Sequence, residues 1–175
     1  LKGENQKKWA LRLLSMSPHY FIDGTSTKLP NETTDEFLLR VFNVIVGTRD
    51  EIYEKALSPY LNESDTVIDY GCGPGFVAAA VSPFVKKIFA LDISDGALAC
   101  GKILNDRDNV EFVNARDADD SIPTGGIDAV YSYAVVQHMT DNVFRSMLQN
   151  CGKYLAPGGR LILHVQLPDE TWKTE

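Results

Sequence analysis

Long apolar runs, cysteine, histidine and net positive charge are all scarce in this chain, and each scarcity removes a class of function. No uninterrupted apolar stretch approaches the ~18 residues that a membrane-spanning helix requires, so no membrane partner is expected. The three cysteines, Cys72, Cys100 and Cys151, are an odd number with no CxxC spacing, and His19, His138 and His164 do not stand at ligand intervals. Neither a disulfide framework nor a metal site is expected, and a reducing, cytoplasmic setting fits best. Lys2, Glu4, Lys7 and Lys8 interrupt any apolar leader, but the chain begins at Leu1 rather than methionine, so the missing leader decides nothing. A formal charge of −7 repels a phosphate backbone on average. The one basic cluster, Lys2, Lys7, Lys8 and Arg12, reads as the solvated face of a helix, and no nucleic-acid partner is expected.

What is present suffices for one core: 175 residues, 44% of them hydrophobic, too few for two comfortable domains. Residues 1–60 read as a helical appendage or lid. Lys8–Leu14 suggests a short helix broken by Pro18, and Ser17–Gly24 an aromatic-rich connector. Thr33–Glu36 and Thr48–Glu51 each match the capping box T-x-x-E, which predicts two helices, the first burying Phe37, Leu38, Val41, Phe42 and Ile45. Over residues 61–175 strands and helices alternate, with strands expected near 66–70, 87–92, 110–114, 128–133 and 160–166. That order implies an α/β, doubly wound, Rossmann-like and mainly parallel sheet with helices on both faces. Val143, Phe144, Met147, Leu148, Cys151, Tyr154 and Leu155 mark one helical stripe. Thr140 or Asp141 would cap its start, and Pro157-Gly158-Gly159 would end it.

The most telling segment is Thr66-Val67-Ile68-Asp69-Tyr70-Gly71-Cys72-Gly73-Pro74-Gly75, an apolar strand running into a glycine-rich turn. Glycine lets such a turn tighten and present its N–H groups to a nucleotide cofactor. A dinucleotide fingerprint needs glycine at its first, third and sixth positions. Counted from Gly71, the sixth is Phe76, and Pro74 removes a donor, so the fit to a pyrophosphate is poor. A nicotinamide-dependent oxidoreductase, which would also want a Tyr-x-x-x-Lys pair, is the remote alternative. In Cys72 a small residue tolerated beside the cofactor is preferred to a reactive thiol.

Asp69-x-Gly71-x-Gly73-x-Gly75 resembles motif I of the class I S-adenosylmethionine-dependent methyltransferases. The likeness continues through Ile88–Asp92, where Asp92 lies about 20 residues beyond Gly71, the usual place of a ribose-binding carboxylate. Further along, Val110–Asn114, Gly126–Tyr133 and Leu155–Leu163 fit the family's later strands, so the resemblance covers roughly residues 60–166. It implies S-adenosylmethionine as cofactor, S-adenosylhomocysteine as product, and cofactor contacts at Asp69, Gly71, Cys72, Gly73, Gly75, Asp92, Ile93, Asp117, Ala118 and Tyr133. Asp117 matches the adenine-binding position, with Asp119 and Asp120 as alternatives because Ala115-Arg116 adds a residue to the usual spacing. The family's sixth and seventh strands do not fit in Leu167–Glu175 and are missing or reduced. An uncovered fifth strand would offer an edge that pairs with another chain.

Methyl transfer from a sulfonium needs an acceptor lone pair brought in line, and a base nearby if the acceptor is a hydroxyl or an ammonium. Tyr133–Met139 falls at the carboxyl ends of the strands, and His138 is the best base in reach, with a structural hydrogen bond as its bland alternative. His19 is a second candidate base, and His164 reads as a packed strand residue. Tyr20 and Phe21 either cover the cofactor or anchor their connector, and Gln137 is placed with them on the substrate side. Arg49 either meets an anionic substrate or the methionyl carboxylate, or is merely solvated at a helix start. No Asp/Asn-Pro-Pro-aromatic segment follows the fourth strand, and no nucleophilic cysteine stands there. Transfer to oxygen or amine nitrogen of a small molecule is what remains, and a non-catalytic S-adenosylmethionine-binding regulatory or scaffold domain of a longer protein is the alternative.

Overall fold

The computed structural model describes residues 2–16 and 27–165. His19, Tyr20, Phe21 and the carboxyl-terminal tail beyond Val165 lie outside the described residues.

Five parallel strands form one sheet: β1 (Thr66–Tyr70), β2 (Lys87–Asp92), β3 (Val110–Asn114), β4 (Ile127–Ser132) and β5 (Leu155–Leu163), in the order β3-β2-β1-β4-β5. The helices are α1 (Lys2–Ser15), α2 (Thr34–Ile52), α3 (Phe76–Val81), α4 (Asp95–Leu104), α5 (Ala118–Ser121) and α6 (Asp141–Tyr154). The period-2 alternation of each strand loads both faces of the sheet. On one side Ile68, Phe89, Leu91, Val113 and Val130 pack against Met147, Cys151 and Tyr154 of α6. On the other Val67, Ile88, Ala90, Ala129 and Tyr131 meet Ala78 and Val81 of α3, with Leu57 and Leu61. The architecture is the doubly wound α/β sheet that the alternation implies.

The amino-terminal helices share a core with the sheet's own helices. Ala10, Leu11 and Leu14 of α1 and Leu38, Val41, Phe42 and Ile45 of α2 enclose Phe76 and Cys100. Phe42 and Phe76 make a tilted ring contact at 5.7 Å. Phe76, the residue that argued against a pyrophosphate, therefore serves this junction.

Four local expectations need correction. Thr33 caps α2 with a complete capping box, but Thr48–Glu51 starts nothing. The apolar periodicity of α2 carries through, the Thr48 hydroxyl donates back to the Ile45 carbonyl at 2.7 Å, and the helix runs on as a π-helical turn, Tyr53–Leu57. Thr140 is the N-cap residue of α6 yet makes no side-chain cap bond. Of the predicted stripe, Val143 and Leu148 are exposed while Met147, Cys151 and Tyr154 are buried. The glycine pair does not end α6, which stops at Tyr154 and passes directly into β5. Residues between Leu155 and Arg160 are absorbed in a register shift opposite Ile127 and Ala129, a bulge that Gly158 serves with φ +82°. Among the described residues β5 pairs with β4 alone.

Candidate active site

Strand order reverses between β1 and β4, where the crossovers after β1 and β4 leave on opposite sides and open a crevice at the carboxyl ends of the strands. A cavity of about 440 Å³ lies there, walled by Arg49 of α2, Asp69, the turn Gly71–Pro74, Phe76 and Val77, Asp92, Tyr133–Val135 and His138.

The turn after β1 is wound tightly back onto β2. Gly71 and Cys72 both donate their N–H groups to the Leu91 carbonyl, at 2.7 and 2.9 Å, and Gly73 donates to Asp92 Oδ2 at 2.8 Å. The expectation that these N–H groups face the ligand is thus corrected: they are spent within the turn. What glycine supplies is conformation and clearance. Gly71 has φ +80°, and a Cβ there would lie 2.5 Å from Val135 Cγ1. Gly73 has φ +54°. Asn105 braces the turn by donating its side-chain amide to the Pro74 carbonyl at 2.7 Å.

Two carboxylates sit on this floor with different surroundings. Asp92 ends β2 and accepts from Gly73 N–H and from Ser94 N–H, each at 2.8 Å. Each of its oxygens keeps a further lone pair for a ligand hydroxyl. Asp69 is 3% exposed, and its Oδ2 completes no hydrogen bond. Burial raises its carboxyl to about 7; the nearby Tyr131 hydroxyl and Ala78 N–H pull it part of the way back, and the Asp92 charge pushes it up. Burial also raises the Cys72 thiol well above its ordinary value, reinforced by Asp69 and Asp92, which keeps it a protonated spacer rather than a nucleophile at neutral pH.

The far wall comes from the segment after β4. Tyr133 stacks on His164 with ring centroids 4.3 Å apart, and His164 N–H donates to the Ser132 carbonyl at 2.9 Å. Ala134 then takes φ +58°, a left-handed backbone rare for a residue with a Cβ and one that clusters at functional sites. It turns the chain so that Val135 covers Gly71 and the short helical turn Val136–His138 brings His138 to the cavity. No sequence signal marks the left-handed Ala134 or the closure of Val135 over Gly71.

Not every expected residue lines the cavity. Gly75 lies beneath the Phe112 ring, Ile93 is 65% exposed beside Asp92, and Gln137 points to solvent on its turn. Asp117 is exposed at the start of α5, and Ala118 is buried in the sheet core. Of the alternatives for adenine, Asp119 accepts from the Tyr154 hydroxyl and pairs with Lys153, which leaves Asp117 and Asp120 uncommitted to those partners. Among the described residues no group of three His, Cys, Asp or Glu side chains could hold a metal ion.

The residues present suit a sulfonium nucleoside: a carboxylate with spare lone pairs at the end of β2, a glycine turn that a Cβ would obstruct, and an orphaned buried carboxylate oxygen beside it. Known proteins agree. The family described as "Methyltransferase domain" matches residues 67–159. An uncharacterized methyltransferase of Mycobacterium tuberculosis is 30% identical over 95 residues, 54% of this chain and 47% of its own length. A ribosomal protein L11 methyltransferase of Neisseria gonorrhoeae is 31% identical over 125 residues, 66% of this chain and 37% of its own. The chain spans about half the length of the first of these relatives, or less. In fold it is similar to DhpI, solved in complex with SAH, at TM-score 0.56 and 22% identity over 92% of this chain and 67% of that one. It is also similar to the YcgJ protein of Bacillus subtilis, at TM-score 0.54 and 19% identity over 69% and 50%. Motif, sheet order and family match converge, and the chain belongs to the class I S-adenosylmethionine-dependent methyltransferases.

Proposed function

We propose that the cavity binds S-adenosylmethionine and that the protein moves its methyl group to an oxygen or amine nitrogen of a small-molecule acceptor. The observation that carries this reading is Asp92, held by two backbone N–H groups at the end of β2 directly beside the bare backbone of Gly71 and Gly73. When bound, the donor supplies an electrophilic methyl group on a cationic sulfur. Asp92 is in place to accept hydrogen bonds from the two sugar hydroxyls, and its own backbone bonds fix its rotamer beforehand. Phe76, Val77 and Val135 exclude water from the cavity walls. His138, at the rim, takes the proton that a hydroxyl or ammonium acceptor must lose. The amino-terminal part of the chain, whose α2 contributes Arg49 to the rim, acts as the lid.

Calorimetry with S-adenosylhomocysteine tests the binding half. Turnover of S-adenosylmethionine to that product over a panel of small hydroxyl and amine acceptors tests the chemistry, and ribosomal proteins belong in the panel because one relative is named for L11. Binding without turnover on any acceptor would favour a regulatory S-adenosylmethionine-binding domain. Binding of NAD(H) in place of S-adenosylhomocysteine would overturn the reading.

A further inference from the structure

The cavity of about 440 Å³ is of the size that one ligand takes up, so with the donor seated in it the acceptor must come from beside it. A second cavity, of about 610 Å³, adjoins it, and Tyr133 stands in the walls of both. This second cavity is a groove on the sheet face that carries Ala129 and Tyr131. β5 presents Ile162 there, in register with Tyr131. Ala56 and Leu57 of the π turn after α2, with Tyr60 just beyond it, form the facing wall. The stacked rings of Tyr133 and His164 close the end nearest the donor.

The donor's own geometry aims its methyl group at that end. Adenine and sulfur leave opposite sides of the sugar. With the sugar on Asp92 of β2 and adenine toward the β3 side, the sulfur is turned the other way, across β1 to Tyr133 at the end of β4.

The chemistry of the groove selects what enters. Among the described residues lining it there is no Asp or Glu, and its arginine, Arg160, is already paired with Asp65 at 2.7 Å. A carboxylate or phosphate would lose its water there and find no free counter-ion. Aliphatic side chains and rings suit a flat apolar body instead, and Tyr60 is 52% exposed along the wall where such a body would lie.

Resting on the donor reading above, we infer that this groove is the acceptor site and that the acceptor is a neutral, planar aromatic molecule of the phenol or arylamine class, whose polar end passes Tyr133 into the donor cavity. For a phenol, an oxygen lone pair forms the new bond to the methyl carbon while the carbon–sulfur bond breaks. The electron pair of that bond stays on sulfur, which becomes a neutral thioether, and the phenolic proton passes to His138. The ring remains in the groove throughout.

The test uses the full chain saturated with S-adenosylhomocysteine and two probes of one ring system, 2-naphthol and 2-naphthoate, titrated by calorimetry. 2-Naphthol should bind at least about tenfold more tightly than 2-naphthoate, and Tyr60→Ala should weaken it about fivefold or more. Ala56→Lys, which brings a cation to the wall, should invert the order of the two probes. Affinity for S-adenosylhomocysteine should stay within about twofold of wild type in both variants, which shows that they are folded. Displacement of S-adenosylhomocysteine by 2-naphthol would put the probe in the donor cavity. No binding of 2-naphthol to the saturated chain would mean that another part of the chain or a second copy closes the groove. Unchanged affinity for both probes in both variants would place them elsewhere. Each of these results overturns the inference and leaves the donor reading standing, whereas a chain that binds no S-adenosylhomocysteine overturns that reading and this inference with it.

Discussion

Asp69 of β1 and Tyr131 of β4 are register partners across the ladder that joins the two halves of the sheet. Both side chains are buried, and neither Asp69 Oδ2 nor the Tyr131 hydroxyl completes a hydrogen bond. The phenol nonetheless eases the carboxylate and pulls its pKa down part of the way.

This pair makes stability depend on pH. Asp69 has its folded pKa raised, to about 7 from 3.8. Its contribution is therefore full below the unfolded value and is lost as pH rises through the folded one, at a slope of up to about 1.4 kcal/mol per pH unit. Urea midpoints should decline between pH 5 and pH 7 and level off above. Asp69→Asn should flatten that decline; an unchanged slope in the variant would mean that another group titrates.

Asp92 holds the glycine turn as well as the proposed sugar site. Asp92→Ala orphans the N–H groups of Gly73 and Ser94, and should cost about 1–3 kcal/mol of stability together with detectable S-adenosylhomocysteine binding. Asp92→Asn keeps one acceptor oxygen and should lose less of both. Thermal melts with and without ligand separate the two effects.

Phe112 fills the space above two glycines. A Cβ at Gly75 would stand 2.6 Å from its ring, and one at Gly101 would stand 2.5 Å away. Gly75 also has φ +75°, so Gly75→Ala carries backbone strain of about 1–2 kcal/mol in addition to the clash. Adding Phe112→Leu should therefore rescue each variant only in part, because the backbone strain stays at Gly75 and a Cβ at Gly101 would also stand 2.9 Å from the Pro74 carbonyl oxygen. Denaturant midpoints of the four variants decide it.

His138→Gln should reduce turnover by about 10²–10⁴-fold on an acceptor that must be deprotonated, with S-adenosylhomocysteine affinity within about twofold of wild type. A parallel loss of ligand affinity would assign His138 to the loop's structure instead.

The fold was legible because strand period, glycine turn and helix stripe are local signals that agree with one another. The first three strands fall where alternation places them. Thr48–Glu51 misled because a capping box is only a local option, and the continuing apolar face of α2 outweighed it. In the site, Asp69 and Asp92 could be read because Asp92 ends an apolar strand and Asp69 lies one residue short of the end of another. The left-handed Ala134 and the closure of Val135 over Gly71 could not, since both arise from the packing of β4 against β1. Arg49 could be read only as an ambiguous cation, because its burial depends on α2 docking beside a turn more than twenty residues away.

The strand order has a last consequence. Because β1 lies in the middle of the sheet, with β2 and β3 on one side and β4 and β5 on the other, the crevice exists only when the late half of the chain is docked against the early half. A molecule lodged there contacts groups from both halves and acts as a staple between them. Hydrogen exchange should accordingly slow on ligand addition in β4 as well as around the glycine turn, turning occupancy into a report on whether the sheet has closed.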